Sequence, residues 1–205
     1  METYNFMLEK IKEKLTDGKT VIVGIDGLGG AGKSSISEEI YEELSGENIP
    51  IQVFHIDDFI HPKKIRYNDN YAEWECYYNL QWRYDYLLEN VINPIRKNGK
   101  FTGLIELYDK DEDRYEKKSV DIKEGSVVLI EGIFLQREEL SQVFDYMIYI
   151  DVPESERLTR VLKRDGYIGT ADDIKEKYEN RYFPAERHYV NMYSPSKLAD
   201  YVIKG

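Results

Sequence analysis

Cysteine, basic charge and long apolar runs are all scarce in this sequence of 205 residues. The single cysteine, Cys76, excludes an intrachain disulfide and is typical of a protein in a reducing compartment. Acidic residues outnumber Lys and Arg by 39 to 28, which disfavours nucleic acid as the main partner because a phosphate backbone binds a basic face. No apolar run is long enough for a membrane span, and no basic and apolar leader opens the chain. We therefore expect a cytoplasmic protein with neither a nucleic-acid nor a membrane partner.

A glycine-rich segment at residues 27–34 matches the pattern G-x-x-x-x-G-K-[ST]. An apolar run at 20–25 precedes it and a helical pattern at 35–44 follows, so we predict a buried strand, a tight turn and a helix start. Glycines let backbone N–H groups approach a phosphate closely, and the helix N-terminus adds unpaired donors. The pattern predicts that Lys33 contacts the β- and γ-phosphates of a nucleotide and that the Ser34 hydroxyl ligates Mg²⁺. The other loop residues predicted to bind the phosphates are Gly27, Gly29, Gly30, Ala31, Gly32 and Ser35.

Apolar strands alternate with helical patterns along the rest of the chain. Further strands are predicted at 51–56, 126–130, 145–152 and 200–203, and a β-hairpin at 102–108 and 114–120. A long helix rich in Trp and Tyr is predicted over about 72–96. Its aromatic residues either line a pocket or, as is commoner for such stripes, belong to the core. The alternation predicts a parallel sheet covered by helices on both faces.

Acidic residues follow two of the predicted strands at the edge where the glycine-rich turn lies. Asp57 and Asp58 follow the strand at 51–56, and Glu131 follows the strand at 126–130. In open α/β sheets, functional residues gather at the carboxyl ends of the strands. A kinase of a small alcohol needs a carboxylate that accepts the proton of the acceptor hydroxyl, and Mg²⁺ needs oxygen ligands. The alternative is that these acids cap the turn or helix that follows them.

Basic residues and histidines supply weaker signals. Arg157, Arg160 and Arg164 have helical spacing, so we predict that they share one face and neutralise a transferring phosphoryl group. The alternative is an ordinary solvated charged face. His55 lies inside a predicted strand and is interpreted as a core residue.

The order of these motifs resembles the uridine kinase branch of the P-loop kinases, whose relatives include phosphoribulokinase and bacterial-type pantothenate kinase. The segments that carry the resemblance are residues 24–34, 57–59, 108–109, 128–133, 150–165 and 197–203. The resemblance implies an α/β P-loop NTPase fold with helices on both faces of a parallel sheet and a small inserted β-hairpin. It also implies one kinase domain over residues 1–205, with about 57–120 as an insertion on the acceptor side and about 160–172 as a lid. ATP and Mg²⁺ are the implied cofactors, and a homo-oligomer would fit the family.

The resemblance also implies roles for individual residues. The implied catalytic residues are Asp57 as the base, Lys33, Arg160 and Arg164. The implied metal site consists of Ser34, Asp57 and Glu131. The implied substrate contacts are Asp58, Tyr108, Arg181 and Arg187, the two arginines replacing lid arginines that the segment 166–169 lacks.

The acceptor is the least determined part of this interpretation. A nucleoside similar to uridine or cytidine is the first expectation from the resemblance. Residues 78–81 lack the acid-rich segment with which uridine kinases grip the ribose, and the hairpin turn lacks their histidine. Pantothenate, a sugar or a sugar phosphate is therefore an alternative acceptor. A regulator that binds ATP without transferring its phosphate is an alternative from another functional class.

Overall fold

The computed structural model describes residues 2–15 and 18–205. The strands are β1 (Val21–Gly27), β2 (Ile51–His55), β3 (Phe101–Asp109), β4 (Arg114–Ile122), β5 (Val127–Gly132), β6 (Tyr146–Asp151) and β7 (Tyr201–Lys204). The helices are α1 (Glu2–Lys14), α2 (Lys33–Gly46), α3 (Lys63–Arg66), α4 (Glu73–Glu75), α5 (Tyr84–Leu87), α6 (Asn93–Asn98), α7 (Glu154–Arg164), α8 (Ala171–Lys177), α9 (Phe183–Tyr193) and α10 (Pro195–Leu198). Wider π-type turns follow α4, α5 and α8 at Cys76–Leu80, Leu88–Ile92 and Tyr178–Tyr182.

A parallel sheet of five strands, in the order β2-β5-β1-β6-β7, confirms the predicted architecture. β1 and β5 are buried along their whole length, as expected for central strands that helices cover on both faces. In the register of the sheet, Glu131 of β5 lies beside His55 of β2 on one side and Ile25 of β1 on the other. The carboxyl ends of β1, β2 and β5 therefore meet at one edge.

Helices cover both faces of the sheet, as predicted. On one face, Met7 and Ile11 of α1 and Ile40 and Leu44 of α2 pack against alternate residues of the central strands. On the other face, the helices of residues 84–98 and α9 pack against the remaining residues of those strands. Fully burying one such aliphatic side chain contributes about 1.5–3 kcal/mol, so these two cores fix the sheet that carries the loops. Among the described helices, none combines the length and apolarity needed to cross a membrane.

The predicted β-hairpin is present as an antiparallel pair of β3 and β4, separate from the main sheet. Its pairing runs from Phe101 opposite Ile122 to Asp109 opposite Arg114. The buried residues Ile105 and Val120 of the hairpin join the core under the helices of 84–98, which holds the hairpin against the body of the protein.

The prediction of one long helix over 72–96 is wrong, because the helical run is interrupted at residues 81–83. The backbone N–H of His61 donates to the Gln81 carbonyl and the N–H of Arg83 donates to the Phe59 carbonyl, both at 2.8 Å. These bonds form a short antiparallel bridge between Ile60 and Trp82. The Gln81 carbonyl and the Arg83 N–H therefore bond to the segment that follows β2 and not to groups of their own helix. The helical spacing of apolar residues continues on both sides of the break, which is why the sequence pattern hides it.

The aromatic residues of this region belong mainly to the core. The rings of Tyr77, Tyr78 and Trp82 each pack edge-on against Phe134, with centroid separations of 5.5, 5.1 and 6.0 Å. Such edge-to-face pairs add about 0.5–1.5 kcal/mol beyond their burial. Tyr77 also reaches the lining of the cavity described next.

Candidate active site

The turn between β1 and α2 has the conformation that its glycines predict. Gly30 and Gly32 have φ of +80° and +99°, a region that side chains rarely adopt. A Cβ on Gly30 would lie 2.8 Å from Val161 and 3.0 Å from the carbonyl oxygen of Arg157, so this turn packs directly on the backbone of α7. Gly32 precedes α2, and no side chain caps that helix N-terminus. The loop therefore leaves the first turn of α2 open to an anion.

The two side chains that follow the loop point towards the same edge of the sheet. The Lys33 ammonium donates to the carbonyl oxygen of Leu28 at 3.3 Å. The Ser34 hydroxyl donates to a carboxylate oxygen of Glu131 at 3.2 Å, which links the loop to the end of β5. The residues present fit a phosphate with its cation, because an ammonium, a hydroxyl and a carboxylate converge beside an uncapped helix start.

A cavity of about 540 Å³ opens beside this loop. The predicted site residues on its lining are Gly29, Gly30, Lys33, Ser34, Asp57, Glu131 and Arg164. The segment between β2 and β3, together with the hairpin turn, adds Ile60, Lys63, Arg66, Tyr67, Tyr77, Gln81 and Lys110. The opposite wall adds Asp165, Tyr167, Lys177, Tyr178, Tyr182 and Glu186. The cavity is therefore enclosed by the loop, by the insertion after β2 and by the segment after α7.

His55 belongs to this edge of the sheet and not to the core. Its side chain is 49% exposed, and its Nδ1 lies 2.6 Å from the carboxylate of Glu131, so the interpretation of His55 as a core residue is wrong. The hydrogen bond to Glu131 raises the pKa of His55 above its ordinary 6.5. Burial alone would raise the pKa of Glu131, but the hydrogen bond from His55 and the charge of Lys33 outweigh it and hold that pKa below 4.5.

We expect the titration of His55 to report this contact. With Glu131 replaced by glutamine, the His55 pKa should fall towards 6.5, as measured by NMR of the imidazole protons. His61, which has no contact with Glu131 and whose pKa is lowered by burial, serves as the internal control. The same His55 pKa in the Glu131→Gln variant and in the unaltered protein would contradict the hydrogen bond between His55 and Glu131 as the cause of the raised pKa.

The same pair gives stability a defined dependence on pH. Because the folded pKa of His55 is raised, its contribution is complete below pH 6.5 and is lost as pH rises through the raised value. Because the folded pKa of Glu131 is lowered, its contribution is present above pH 4.5 and is lost as pH falls through the lowered value. The pair therefore stabilises the fold most between those two pH values.

Asp57 and Asp58 lie in a 3₁₀ turn, Ile56–Asp58, directly after β2. Asp57 is exposed and lines the cavity, whereas Asp58 is half-buried and does not line it. Burial raises the pKa of the Asp58 carboxyl. Ile56 anchors this turn against Gly132, where an added Cβ would lie 2.0 Å from the Ile56 side chain. A glycine after Glu131 is therefore required to bring Asp57 close to the end of β5.

The three arginines of α7 do not act as one face. Arg157 is buried and pairs with Glu186, a contact that the sequence analysis missed. Arg160 is partly exposed, and its guanidinium donates to the carbonyl oxygens of Gly30 and Ala31 at 3.5 and 3.3 Å. Arg164 lines the cavity and donates to Asp165 at 2.6 and 3.0 Å. The hydrogen bond to Asp165 raises the pKa of Arg164, which stays a cation.

A buried ion pair holds the glycine-rich loop from behind. The backbone N–H of Gly29 donates to Glu186 at 2.9 Å, and its carbonyl oxygen accepts from Arg157 at 2.9 Å. The Arg157 guanidinium and the Glu186 carboxylate are 2.7 Å apart, with only 2% and 1% of their side chains exposed. The pair therefore holds both backbone polar groups of Gly29, with Arg157 contributed by α7 and Glu186 by α9. Glu186 carries no sequence signal, because it is an ordinary acid within a helical pattern.

Asp26 is a second buried acid that the sequence analysis missed. It is fully buried at the end of β1 and accepts hydrogen bonds from the Gly27 N–H at 2.8 Å and from the Gln136 side chain at 2.9 Å. It also accepts a short hydrogen bond from the Tyr189 hydroxyl. Burial raises its pKa, although the bonds from Tyr189 and Gln136 oppose that shift. A lone acid within an apolar strand was the signal that could have identified it.

Comparison with known proteins identifies the family. The model of the phosphoribulokinase/uridine kinase family matches residues 22–204. The chain belongs to this family. It is 28% identical to uridine kinase of Bacillus licheniformis over 197 residues, which cover 90% of this chain and 86% of that protein. It is 30% identical to uridine kinase of Staphylococcus aureus over 147 residues, covering 71% and 69% of the two chains.

A solved structure agrees with this assignment. The structure of a possible uridine kinase from Bacillus stearothermophilus superposes with a TM-score of 0.78 at 29% identity, covering 98% of this chain and 97% of that one. The chain therefore has the predicted P-loop kinase fold and is a small-molecule kinase. Kinases of this family use ATP and usually Mg²⁺.

All four predicted substrate contacts of this kinase lie off the cavity lining: Asp58, described above, and Tyr108, Arg181 and Arg187. The Tyr108 hydroxyl donates a hydrogen bond to the Asp113 carboxylate at 2.5 Å and accepts one from Arg66 at 2.9 Å. Arg181 is buried and donates to the Glu73 carbonyl and the Gln81 side chain, each at 3.1 Å. Arg187 lies on the surface, where it pairs with Glu154 at 2.6 Å. Tyr108 and Arg181 therefore support residues of the lining, whereas Arg187 is directed away from it.

Proposed function

We propose that the chain transfers the γ-phosphoryl group of ATP to a hydroxyl of a small metabolite, with Asp57 as the base. The observation that supports this is the convergence of Lys33, Ser34, Asp57 and Glu131 on one cavity at the ends of three neighbouring strands. Lys33 and the loop amides would hold the phosphates, and Ser34 and Glu131 would hold Mg²⁺, with Asp57 completing the metal site. Bound Mg²⁺ supplies charge neutralisation for the phosphates.

The acceptor hydroxyl would approach Asp57 from the side of the insertion at about 57–120. Asp57 is exposed to the cavity and would orient the hydroxyl and accept its proton. Arg164 faces the cavity and Arg160 contacts the loop, so both support a lid at about 160–172 that closes over the transferring group. One kinase domain over 1–205, a cytoplasmic location and a homo-oligomer stay predictions.

The experiment that tests this proposal measures ADP release from Mg-ATP with a panel of acceptors. Uridine comes first because the curated relatives are named uridine kinases, followed by cytidine, pantothenate, sugars and sugar phosphates. We expect one acceptor to raise ADP release well above the rate without acceptor. ATP binding with no acceptor-dependent release on any compound would contradict the proposal and favour an ATP-binding regulator.

A further inference from the structure

A second cavity, of about 470 Å³, lies behind the phosphate loop, next to the buried Arg157–Glu186 pair. Glu186 lines both this cavity and the active-site cavity, whereas Arg157 lines the second cavity alone. Leu28 of the phosphate loop forms another part of its wall. The volume is within the range of sites that bind small molecules, about 300–1,000 Å³. The proposed phosphoryl transfer gives this cavity no role.

Two hydrogen-bond donors on the lining of this cavity have no partner among the described residues. The Arg157 Nε donates to the Val152 carbonyl at 3.1 Å, and one terminal nitrogen donates to the Gly29 carbonyl and to Glu186. The other terminal nitrogen of Arg157 and the Tyr149 hydroxyl donate to no described residue. Neither atom is sealed from solvent, although only 2% of Arg157 and 3% of Tyr149 are exposed. Both donors are therefore available to a ligand in the cavity.

Both donors keep their protons at neutral pH. Burial raises the pKa of Tyr149, so its hydroxyl is uncharged. The charges of Arg157 and Glu186 act on this hydroxyl, which places it close to the ion pair. An arginine guanidinium is always protonated, and a carbonyl oxygen has two lone pairs that can accept from two such donors. A carbonyl group therefore fits this part of the lining.

The charged side chains on the lining are all paired, so the cavity is neutral overall. The ion pairs are Glu186 with Arg157, Glu154 with Arg187, and Asp151 with Lys204. A carboxylate ligand would add a negative charge beside three carboxylates, with no unpaired cation on the lining to balance it. An uncharged ligand avoids that cost. Apolar side chains, among them Leu28, Val152 and Val190, can pack against its body.

We propose that this cavity binds an uncharged carboxamide with an apolar body, and that its occupant is coupled to the phosphate loop. The carbonyl oxygen accepts from the Tyr149 hydroxyl and from the free nitrogen of Arg157, and the apolar body packs against Leu28 and Val190. The carbonyl oxygen of Leu28 also accepts a hydrogen bond from the Lys33 ammonium at 3.3 Å. A ligand that contacts Leu28 and Arg157 therefore orders the segment that binds the phosphates, which favours nucleotide binding.

An NMR titration of the isotope-labelled protein measures the affinity and the location of small probes together. Benzamide and cyclohexanecarboxamide are the uncharged probes, and benzoate and cyclohexanecarboxylate are the matched acids. We expect both amides to shift the backbone resonances of Val190, Asn191 and Ser196, which lie on the lining. Each acid should bind at least about 10-fold more weakly than its amide, because it brings an unbalanced charge into the cavity.

Two pairs of variants test how the amide is bound. Tyr149→Phe removes one donor and should weaken benzamide binding roughly 2- to 10-fold, the range for one hydrogen bond. Tyr146→Phe is its control, because Tyr146 is also buried on β6 but lies off the lining. Val190→Trp fills the cavity and should abolish binding. Met192→Trp, which is exposed on the same helix and off the lining, should leave binding unchanged.

The coupling is measured as the affinity for Mg-ATP with and without saturating benzamide. We expect benzamide to tighten Mg-ATP binding by at least about 5-fold, and Val190→Trp to remove that effect. No binding of either amide, resonance shifts confined to the active-site cavity, or acids that bind as tightly as the amides would each overturn the inference. Unchanged benzamide affinity in Tyr149→Phe, or an unchanged Mg-ATP affinity, would do the same. The test requires no phosphoryl transfer, so its result is independent of the proposed kinase activity.

Discussion

Replacing Asp57 by asparagine is expected to lower acceptor-dependent turnover by about 10²- to 10⁴-fold, the range that a positioned general base contributes. Asparagine keeps the size of the side chain but cannot accept a proton from the acceptor hydroxyl. ATP binding should change only a few-fold, because most of the phosphate contacts proposed here come from the loop and Lys33. Two measurements on the same preparation check this prediction: the turnover rate with the best acceptor, and the affinity for ATP.

The neighbouring acid provides the comparison. Asp58 follows Asp57 in the same 3₁₀ turn but is half-buried and off the lining of the cavity. We therefore expect Asp58→Asn to lose less turnover than Asp57→Asn. Turnover of Asp57→Asn equal to that of the unaltered protein would remove Asp57 from the mechanism, and a larger loss in Asp58→Asn would move the base to that residue.

Much of the fold could be predicted because its signals are local. The glycine-rich turn, the apolar strands and the charged turn of the hairpin are each specified by a few consecutive residues. Parallel strands with helical crossovers then place the carboxyl ends of β1, β2 and β5 at one edge, so Asp57 and Glu131 could be assigned to the same site without coordinates.

What could not be predicted depends on contacts between segments far apart in the chain. The break at residues 81–83 arises from backbone hydrogen bonds to residues 59 and 61, which leave the helical spacing unchanged. His55 was assigned to the core because the period of a strand does not say which of its residues lie at the edge of the sheet. Arg157 and Glu186 are 29 positions apart, and each alone resembles a solvated charge on a helix.

The Arg157–Glu186 pair carries the second large expected effect. Replacing Glu186 by leucine leaves the Arg157 guanidinium buried without its partner, and we expect a loss of about 3–5 kcal/mol in the free energy of unfolding. Arg157→Met should cost a similar amount, because it leaves the carboxylate of Glu186 buried in the same way. Arg187→Met is the matched control, since Arg187 follows Glu186 but pairs with Glu154 on the surface, with 63% and 37% of the two side chains exposed. That variant should change stability by about 1 kcal/mol or less. Urea unfolding of the three variants measures these differences.

Combining the two replacements separates the stability of the pair from its effect on the loop. Since buried ion pairs can be replaced by apolar residues with little loss, the Arg157→Met, Glu186→Leu double variant should be more stable than either single variant. It should still bind Mg-ATP more weakly than the unaltered protein, because the N–H of Gly29 has lost its bond to Glu186 and the C=O of Gly29 has lost its bond to Arg157. Strictly additive losses of stability would contradict the direct pairing. Full recovery of nucleotide affinity in the double variant would mean that the pair stabilises the packing of α7 on α9 without positioning the phosphate loop.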